Sequence, residues 1–470
     1  MALLEGLYDK LPAWSQNLGL SAYGAWVERQ RYGGAFSKIL KSVLDRGHWS
    51  GEQIARFQHE RAKSLLRHAH AKVPYYKKEL GDLGVCSEEL CGVEDLARLP
   101  VLTKEKVRER QGEFLSSDCA HRDVVHLHTS GTTGAGLQFV ADREAHQEQW
   151  AVWWRYRMSH GIKPGTWCAY FGGRTVVPVA QEKPPFWRIN RAARQILYSM
   201  YHISPGTLRF YIDNLQERKL NWIHGYPSVL SVLARYVLDA GVKVRFTWAT
   251  VGAESLMPWQ KALIEEAFGC RCCQHYGSAE GVANFSECEA GNLHADEDFC
   301  AVELLPAQVP GQFFVAGTSL VNYAMPFIRY HTGDVCSAPL GSCACGRWGL
   351  VVSQIDGRQE DYILLRDGRM LGRLDHIFKD AVNVLEAQIV QKKAGEAVVR
   401  IVPRHNWSQR DAGTLREEFR KRAGPLLDVT IEYCEKLERT ASGKLRFVVS
   451  SCPAGRLDVV VQEAALGRGR

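Results

Sequence analysis

At 470 residues the chain is longer than one hydrophobic core comfortably serves, so two or three domains are expected. Apolar residues make up 46% and charged residues 24%, which excludes a disordered or fibrous chain. The 59 basic residues against 52 acidic ones give a formal charge of +7, too dilute to argue for nucleic acid, and no apolar run reaches membrane-span length.

In chain order, the N-terminus carries an early acid, Glu5, and many polar residues, unlike a secretion signal. Fourteen cysteines without such a signal point to a reducing, cytoplasmic setting, where they serve as thiols or metal ligands. Residues 1 to about 120 read as helical; Glu52 to His70 has helical apolar spacing, and Val73-Pro74-Tyr75-Tyr76 breaks it. From Val124 short β-branched runs alternate with helices. Val124–His128 reads as a strand, a glycine loop follows, Leu137–Val140 reads as a second strand, and Asp142 is a candidate N-cap for a helix running to Gly161. Trp222–His224, Phe246–Val251, Cys272–His275, Phe313–Ala316 and Val351–Gln354 read as further strands, predicting α/β layers around a mainly parallel sheet. The charged stretch from Gly357 to Asp361 marks a boundary, with a small α+β unit beyond it.

Five segments carry candidate chemistry. Thr129-Ser130-Gly131-Thr132-Thr133-Gly134-Ala135-Gly136 combines glycines, which allow close backbone approach, with hydroxyls and N–H groups suited to phosphate oxygens. It lacks the lysine and following helix of a P-loop, and alone it would serve equally as an ordinary turn. Gly252-Ala253-Glu254 is a small-residue turn after a strand, where ligands commonly bind. In Tyr276-Gly277-Ser278-Ala279-Glu280 an aromatic can stack on a base and a carboxylate can hold Mg²⁺ beside phosphates. Asp334, ending Arg329-Tyr330-His331-Thr332-Gly333-Asp334, suits a pair of ribose hydroxyls, and Thr440-Ala441-Ser442-Gly443-Lys444 presents a lysine on a small-residue turn. Singly, each has a plain alternative: a core aromatic, a helix-end charge, a turn residue, a solvated lysine.

In this order the five resemble the adenylate-forming superfamily of acyl-CoA synthetases, adenylation domains and luciferases. Val73-Pro74-Tyr75-Tyr76, Glu94-Asp95-Leu96 and Leu99-Pro100-Val101-Leu102-Thr103-Lys104 are similar to the N-terminal region of phenylacetate–CoA ligases. His224-Gly225-Tyr226-Pro227-Ser228, Met325-Pro326-Phe327-Ile328-Arg329-Tyr330 and Cys343-Ala344-Cys345-Gly346-Arg347 extend the likeness. Asp367-Gly368-Arg369 and Gly372-Arg373-Leu374-Asp375 look closest to the capsular-polysaccharide (CapK-type) branch.

The resemblance implies a large multi-sheet α/β AMP-binding domain over residues 1–356, the helical region included, and a small mobile α+β lid over 357–470, with the chemistry in the cleft between them. It implies attack of a carboxylate on the α-phosphate of ATP–Mg²⁺, giving acyl-AMP and pyrophosphate, then acyl transfer after the lid swings. Ser130, Gly131, Thr132, Thr133 and Gly134 would hold the departing phosphates, Gly252, Ala253 and Glu254 would line the adenine site, and Tyr276 with Gly277 and Ser278 would stack on and border it. Glu280 would bind magnesium, Asp334 the ribose, Arg358 the nucleotide, and Lys444 would bridge carboxylate and α-phosphate. Two departures stand out: Ala135-Gly136 replaces the lysine usual after the phosphate loop, so the phosphate contacts would rely on backbone and hydroxyls or on another cation such as Arg174, and Glu360 stands at a hinge usually Asp or Lys.

The family likeness also makes Cys288, His294, Cys343 and Cys345 a candidate closed, structural zinc site, with Cys300 and Cys336 as substitutes; Cys270, Cys272 and Cys273 read as buried thiols around a strand. The acyl pocket would lie near Tyr226, Gly252 and Tyr276, bordered by Phe171-Gly172-Gly173 and the aromatics of the Trp150–Tyr156 helix. The partners are then a small carboxylic acid and an acceptor, coenzyme A by family habit or an amine as rival, with no nucleic acid, no membrane, and a monomer or homodimer. A carrier protein as acceptor, or a silent nucleotide-binding homologue, are the competing readings.

Overall fold

The computed structural model describes residues 8–452 apart from 87–88, 130–136, 173, 175, 179, 205, 308–310, 359–362, 367–369, 372–373, 379–382 and 440–444. The chain divides into two compact units, residues 1–359 with 439–445 and residues 360–438 with 446–470.

The first unit opens with α1 (Ala13–Tyr32), α2 (Phe36–Arg46), α3 (Gly51–Lys72), α4 (Pro74–Asp82) and the short α5 (Lys104–Glu109). Ser50 and Gln53 form a capping box that starts α3; Pro74 cannot continue that helix and instead takes the first position of α4. Leu65, Leu66, Tyr75 and Tyr76 are buried with Phe114 and Phe327. The Tyr76 hydroxyl donates to the Pro326 carbonyl (3.1 Å) and accepts from Ile328 N–H (3.0 Å), tying the helical region to the Met325–Tyr330 segment.

The strands β1 (Val124–His128) and β2 (Gln138–Asp142) pair antiparallel on either side of the glycine loop and lead into α6 (Arg143–Ser159). Asp142 stands at the N-cap, yet its carboxylate makes no capping bond. It accepts instead from Tyr323 N–H (2.7 Å), Ala324 N–H (3.0 Å) and Arg122 (2.9 Å), so it docks a distant loop.

There follow β3 (Cys168–Phe171), β4 (Trp187–Asn190), β5 (Gln195–Tyr198), α7 (Leu208–Arg218), β6 (Trp222–Gly225), α8 (Pro227–Asp239), β7 (Trp248–Val251), α9 (Pro258–Phe268), β8 (Cys272–Gly277), β9 (Asn284–Glu287), β10 (Leu293–Ala295), β11 (Cys300–Pro306), β12 (Gln312–Ser319), β13 (Tyr330–Ser337), β14 (Pro339–Leu340), β15 (Val351–Val352) and β16 (Ile355–Arg358). A ten-stranded sheet runs in the order β14-β15-β10-β9-β8-β7-β6-β3-β5-β4, and a four-stranded one in the order β11-β12-β13-β16. Within the ten-stranded sheet parallel pairing is confined to β5-β3-β6-β7-β8, so the mainly parallel expectation holds only for the middle of that sheet. The flanks differ for a local reason: β4 to β5 and β8 to β9 are joined by short connections, which can only turn a strand back antiparallel. Ile223, Val251, Leu230 and Ile264 bury the helices α8 and α9 against the parallel strands.

The second unit holds a two-stranded pair, β17 (Ile363–Leu364) and β18 (Met370–Leu371), then β19 (Val384–Lys393), β20 (Glu396–Pro403), α10 (Gln409–Ala423), β21 (Asp428–Tyr433) and β22 (Val448–Ser450). Its four-stranded sheet has the order β21-β20-β19-β22. Ile389, Val399 and Ile401 from the sheet close over Leu415 and Phe419 of α10 to give it a core of its own.

Candidate active site

Parallel strands deliver the loops after their C-terminal ends to one side of a sheet, and the candidate residues gather there. Tyr226 follows β6, Gly252-Ala253-Glu254 follow β7, and Tyr276-Gly277 close β8. Ala253 adopts φ 68°, the left-handed region that a residue with a Cβ occupies at a cost, as happens at functional turns. The Glu254 carboxylate accepts from Ser228 N–H (3.1 Å) at the start of α8 and from Leu445 N–H (2.9 Å). Burial pushes Glu254 up and the Arg439 charge opposes that. Leu445 lies next to Lys444, which itself falls outside the described residues.

Tyr276 and Asp334 are far apart in sequence but joined here: the Tyr276 hydroxyl donates to Asp334 Oδ2 at 2.6 Å. Arg358 on β16 stands directly opposite Asp334 in the strand register. Burial pushes the Glu280 carboxyl up, the Tyr330 hydroxyl pulls it down, and the Asp334 charge adds to the rise. Two mutually repelling carboxylates in a half-buried setting fit a site for a divalent cation, whose charge favours the ionised form. Ser278 Oγ accepts from Val282 N–H (3.2 Å), which shapes the turn carrying Glu280. Gly277 is required by close approach, since a Cβ there would stand 2.6 Å from Asn284 Oδ1 and 3.1 Å from Trp153 Nε1. Ser130, Gly131, Thr132, Thr133, Gly134 and Glu360 lie outside the described residues; Arg174 is exposed, with its guanidinium carbon 6.0 Å from the Tyr23 ring centre.

Sequence reading missed three supports of this site. Trp153 Nε1 donates to Asn284 Oδ1 (2.7 Å), Asn284 donates on to Asp296, and Arg439 donates to Ser228 Oγ (3.2 Å). Arg329, noted only as part of a motif, adopts φ 53°, pairs with Glu303 and donates to the Leu99 carbonyl (2.6 Å), clamping the helical region to β13.

Cys288, His294, Cys343 and Cys345 converge, with one donor atom from each lying within 4.8 Å of the others. Cys288 and Cys343 sulfurs are 3.7 Å apart, and Cys345 Sγ lies 3.3 Å from His294 Nε2. Three thiols and an imidazole are a donor set and spacing that suit tetrahedral zinc. Asn292 donates to Cys343 Sγ (3.3 Å), which holds that thiol below its ordinary range and so toward the thiolate a metal needs. Cys300 and Cys336 are buried elsewhere, outside this cluster; Cys272 and Cys273 are buried on β8 as expected, but Cys270 is only half-buried, because it lies in the turn before that strand.

Comparison with known proteins agrees with this geometry. The family described as the CapK C-terminal domain matches residues 366–451. Protein CapK of Staphylococcus aureus is 24% identical over 96% of this chain and 100% of its own length. The chain is thus similar to CapK over nearly its whole length, and its C-terminal part matches the CapK domain family. Phenylacetate–coenzyme A ligase of Thermus thermophilus is 26% identical over 78% of this chain and 80% of its own, and that of Escherichia coli is 26% identical over 67% and 74%. The crystal structure of 2-hydroxyisobutyryl-CoA ligase, in the postadenylation state with 2-HIB-AMP, shares the family fold at a TM-score of 0.64 and 19% identity, covering 84% of this chain and 88% of that one.

Proposed function

We propose that this chain is an adenylate-forming ligase of the CapK type, which activates a carboxylic acid with ATP and then passes the acyl group to a thiol, coenzyme A being the first choice. The observation that carries the reading is the convergence of the β7 turn, Tyr276, Glu280 and Asp334 at one end of the parallel strands, with Arg358 opposite Asp334 in register. A carboxylate oxygen attacks the α-phosphorus, the bond to the bridging oxygen breaks, and pyrophosphate leaves. A thiolate then attacks the acyl carbon and AMP departs. In the first step Lys444 bridges the attacking carboxylate and the α-phosphate, and the hydroxyls and amides of residues 130–134 hold the leaving phosphates. The Gly252–Glu254 turn lines adenine, with Tyr276 stacked on it and bordered by Gly277 and Ser278; Asp334 takes the ribose and Arg358 the nucleotide. Magnesium, held by Glu280, would neutralise charge on the phosphate oxygens.

The test is ATP–pyrophosphate exchange against a panel of aryl, aliphatic, hydroxy and amino acids, followed by addition of coenzyme A or amines. Exchange with one class supports adenylation and identifies the acid; silence with every acid while ATP still binds would overturn it. Asp334→Asn should raise KM for ATP about tenfold, the worth of one charge-assisted hydrogen bond, while Tyr276 keeps an acceptor and thermal stability holds. An unchanged KM would remove Asp334 from the nucleotide site.

We infer also that the Cys288, His294, Cys343 and Cys345 cluster holds structural zinc. Four protein donors leave no open position, so the metal would take no part in the reaction. It would pin β9 and β10 to the Cys343–Cys345 loop that leads into β15. The purified protein should carry about one zinc per chain by elemental analysis. Cys343→Ser should lose the metal and lower the unfolding temperature, as should a strong chelator acting on the unsubstituted protein. Metal-free protein of unchanged stability would reject the assignment.

A further inference from the structure

One face of the parallel sheet carries groups that a purely hydrophobic layer would not. Tyr170 on β3, His224 on β6 and Thr250 on β7 stand in register, with His275 further along β8. Over them α6 lays Trp150, Trp153, Trp154 and Arg157; the Trp153 and His275 rings are 5.3 Å apart, and those of Trp154 and Trp222 are 6.5 Å apart. From α1 come Glu28, Arg31 and Tyr32, the last with its ring 5.9 Å from that of Trp150.

Burial drives His224 and His275 down to about 3 and His146 to about 4, and each of the three residues is half-buried. The near end of this layer is the candidate active site, against which its rings pack closely: a Cβ on Gly252 would stand 3.4 Å from His275 Cε1, and one on Gly277 3.1 Å from Trp153 Nε1. Trp150 lies one ring further in, 4.6 Å from Trp153.

Two guanidinium groups stand beyond Trp150. That of Arg31 is 3.9 Å from its ring centre; that of Arg157, only 9% exposed, lies 6.0 Å from Trp150, 5.1 Å from Trp154 and 5.5 Å from Trp222. Neither has an ion pair or a side-chain hydrogen bond among the described residues. Glu28 is the neighbouring anion, without an ion-pair contact to either, and burial pushes its carboxyl up. Stacking on tryptophan compensates only part of a guanidinium's lost hydration, so two such groups are an incomplete arrangement. His146 adds a donor. Its Nε2 accepts from Trp150 Nε1 (3.2 Å), which puts the neutral ring's proton on Nδ1, and that atom is buried without a hydrogen-bond partner.

We propose that the Arg31–Arg157 end of this layer, beside Trp150 and His146, is an anion-binding subsite, so that the acid activated carries a second anionic group held by Arg31 and Arg157. The substrate class is then a dicarboxylic or phosphono- or phospho-carboxylic acid, its reacting carboxylate at the strand ends and its other charge beyond Trp150. The inference rests on the adenylation reading of the strand-end site.

The test pairs acids of equal length: glutarate with pentanoate, adipate with hexanoate, phthalate with benzoate, and 4-phosphonobutyrate as the phosphorus arm. Each is measured twice, by quenching of tryptophan fluorescence and by ATP–pyrophosphate exchange. The doubly charged member of a pair should bind and exchange at least tenfold better, and the arm that does so names the second group. Arg31→Met and Arg157→Met should each erase that preference through KM, with AMP affinity unchanged; Arg31→Lys should restore part of it, which a purely structural stacking role would not. Equal or better exchange by the singly charged acids overturns the subsite and leaves adenylation standing. Arginine-dependent quenching by the doubly charged acids without exchange by any acid overturns adenylation and leaves the subsite standing. Neither quenching nor exchange overturns both.

Discussion

Lys444→Ala should lower ATP–pyrophosphate exchange by roughly 10²–10³-fold, the usual worth of one preorganised group aimed at developing charge, while ATP affinity changes little. The asymmetry has a physical cause. Negative charge is shared between two approaching oxygens and the α-phosphate only in the transition state, so a bridging cation contributes most there. Under the proposed mechanism, ground-state binding would come instead from base, ribose and phosphate contacts of the strand-end loops. The pair of measurements is exchange kinetics and equilibrium binding of ATP to the same preparation. Equal exchange rates in variant and parent would remove Lys444 from the chemistry, and a parallel loss of ATP binding would make it a binding residue only.

Asp298→Ala should destabilise the protein by about 3–5 kcal/mol, the range found when one partner of a buried ion pair is deleted. Asp298 is fully enclosed and accepts from Arg46 Nε (2.6 Å) and from both Arg155 Nη atoms (2.8 and 2.7 Å). Arg46 also pairs with Glu148, which Arg61 meets at 2.9 Å, and Arg155 reaches Asp296 at 2.9 Å. Removing Asp298 leaves two buried guanidinium groups short of countercharge. Burial by itself would push this carboxyl up, but Arg155 and Arg46 outweigh it and hold it well below the ordinary 3.8. A depressed carboxylate contributes stability that is full above its unfolded value, so this share should fade as the pH falls below about 4. Denaturant unfolding of parent and variant at pH 7 and at pH 3 checks both parts. A difference at pH 7 under 1 kcal/mol, or one that grows toward pH 3, would reject the account.

The same network reaches the site. Asp296 accepts from Asn284 and Ser286, Asn284 accepts from Trp153, and Gly277 sits against both Asn284 and Trp153. None of this was legible beforehand, because Asn284 and Asp296 carry no local pattern; a polar residue declares its partner only when the strands are laid side by side. The loops themselves were legible for the opposite reason. Glycines and small residues at strand ends, a tyrosine and a glutamate four residues apart, and an aspartate after Thr-Gly are dictated by local chain geometry and ligand size, so they survive as short words. Asp142 lies between these cases: its place before α6 was readable, but its use as an acceptor for Tyr323 and Ala324 N–H was not.

By itself, the sequence determined several of the helices and strands, among them Val124–His128 and the helix after Asp142, where small-residue turns end strands, and that four soft ligands exist in two short pairs. Periodicity, proline and glycine placement, and side-chain chemistry act over a few residues and need no knowledge of the fold. Tertiary structure alone decided that Cys288 and His294 meet Cys343 and Cys345, that Tyr276 binds Asp334, and that Arg31 and Arg157 stand together over Trp150. Those meetings join residues tens to more than a hundred positions apart. They depend on strand order, on short connections that reverse the flanking strands, and on which helix covers which face of the sheet, none of which is encoded in any one stretch of chain.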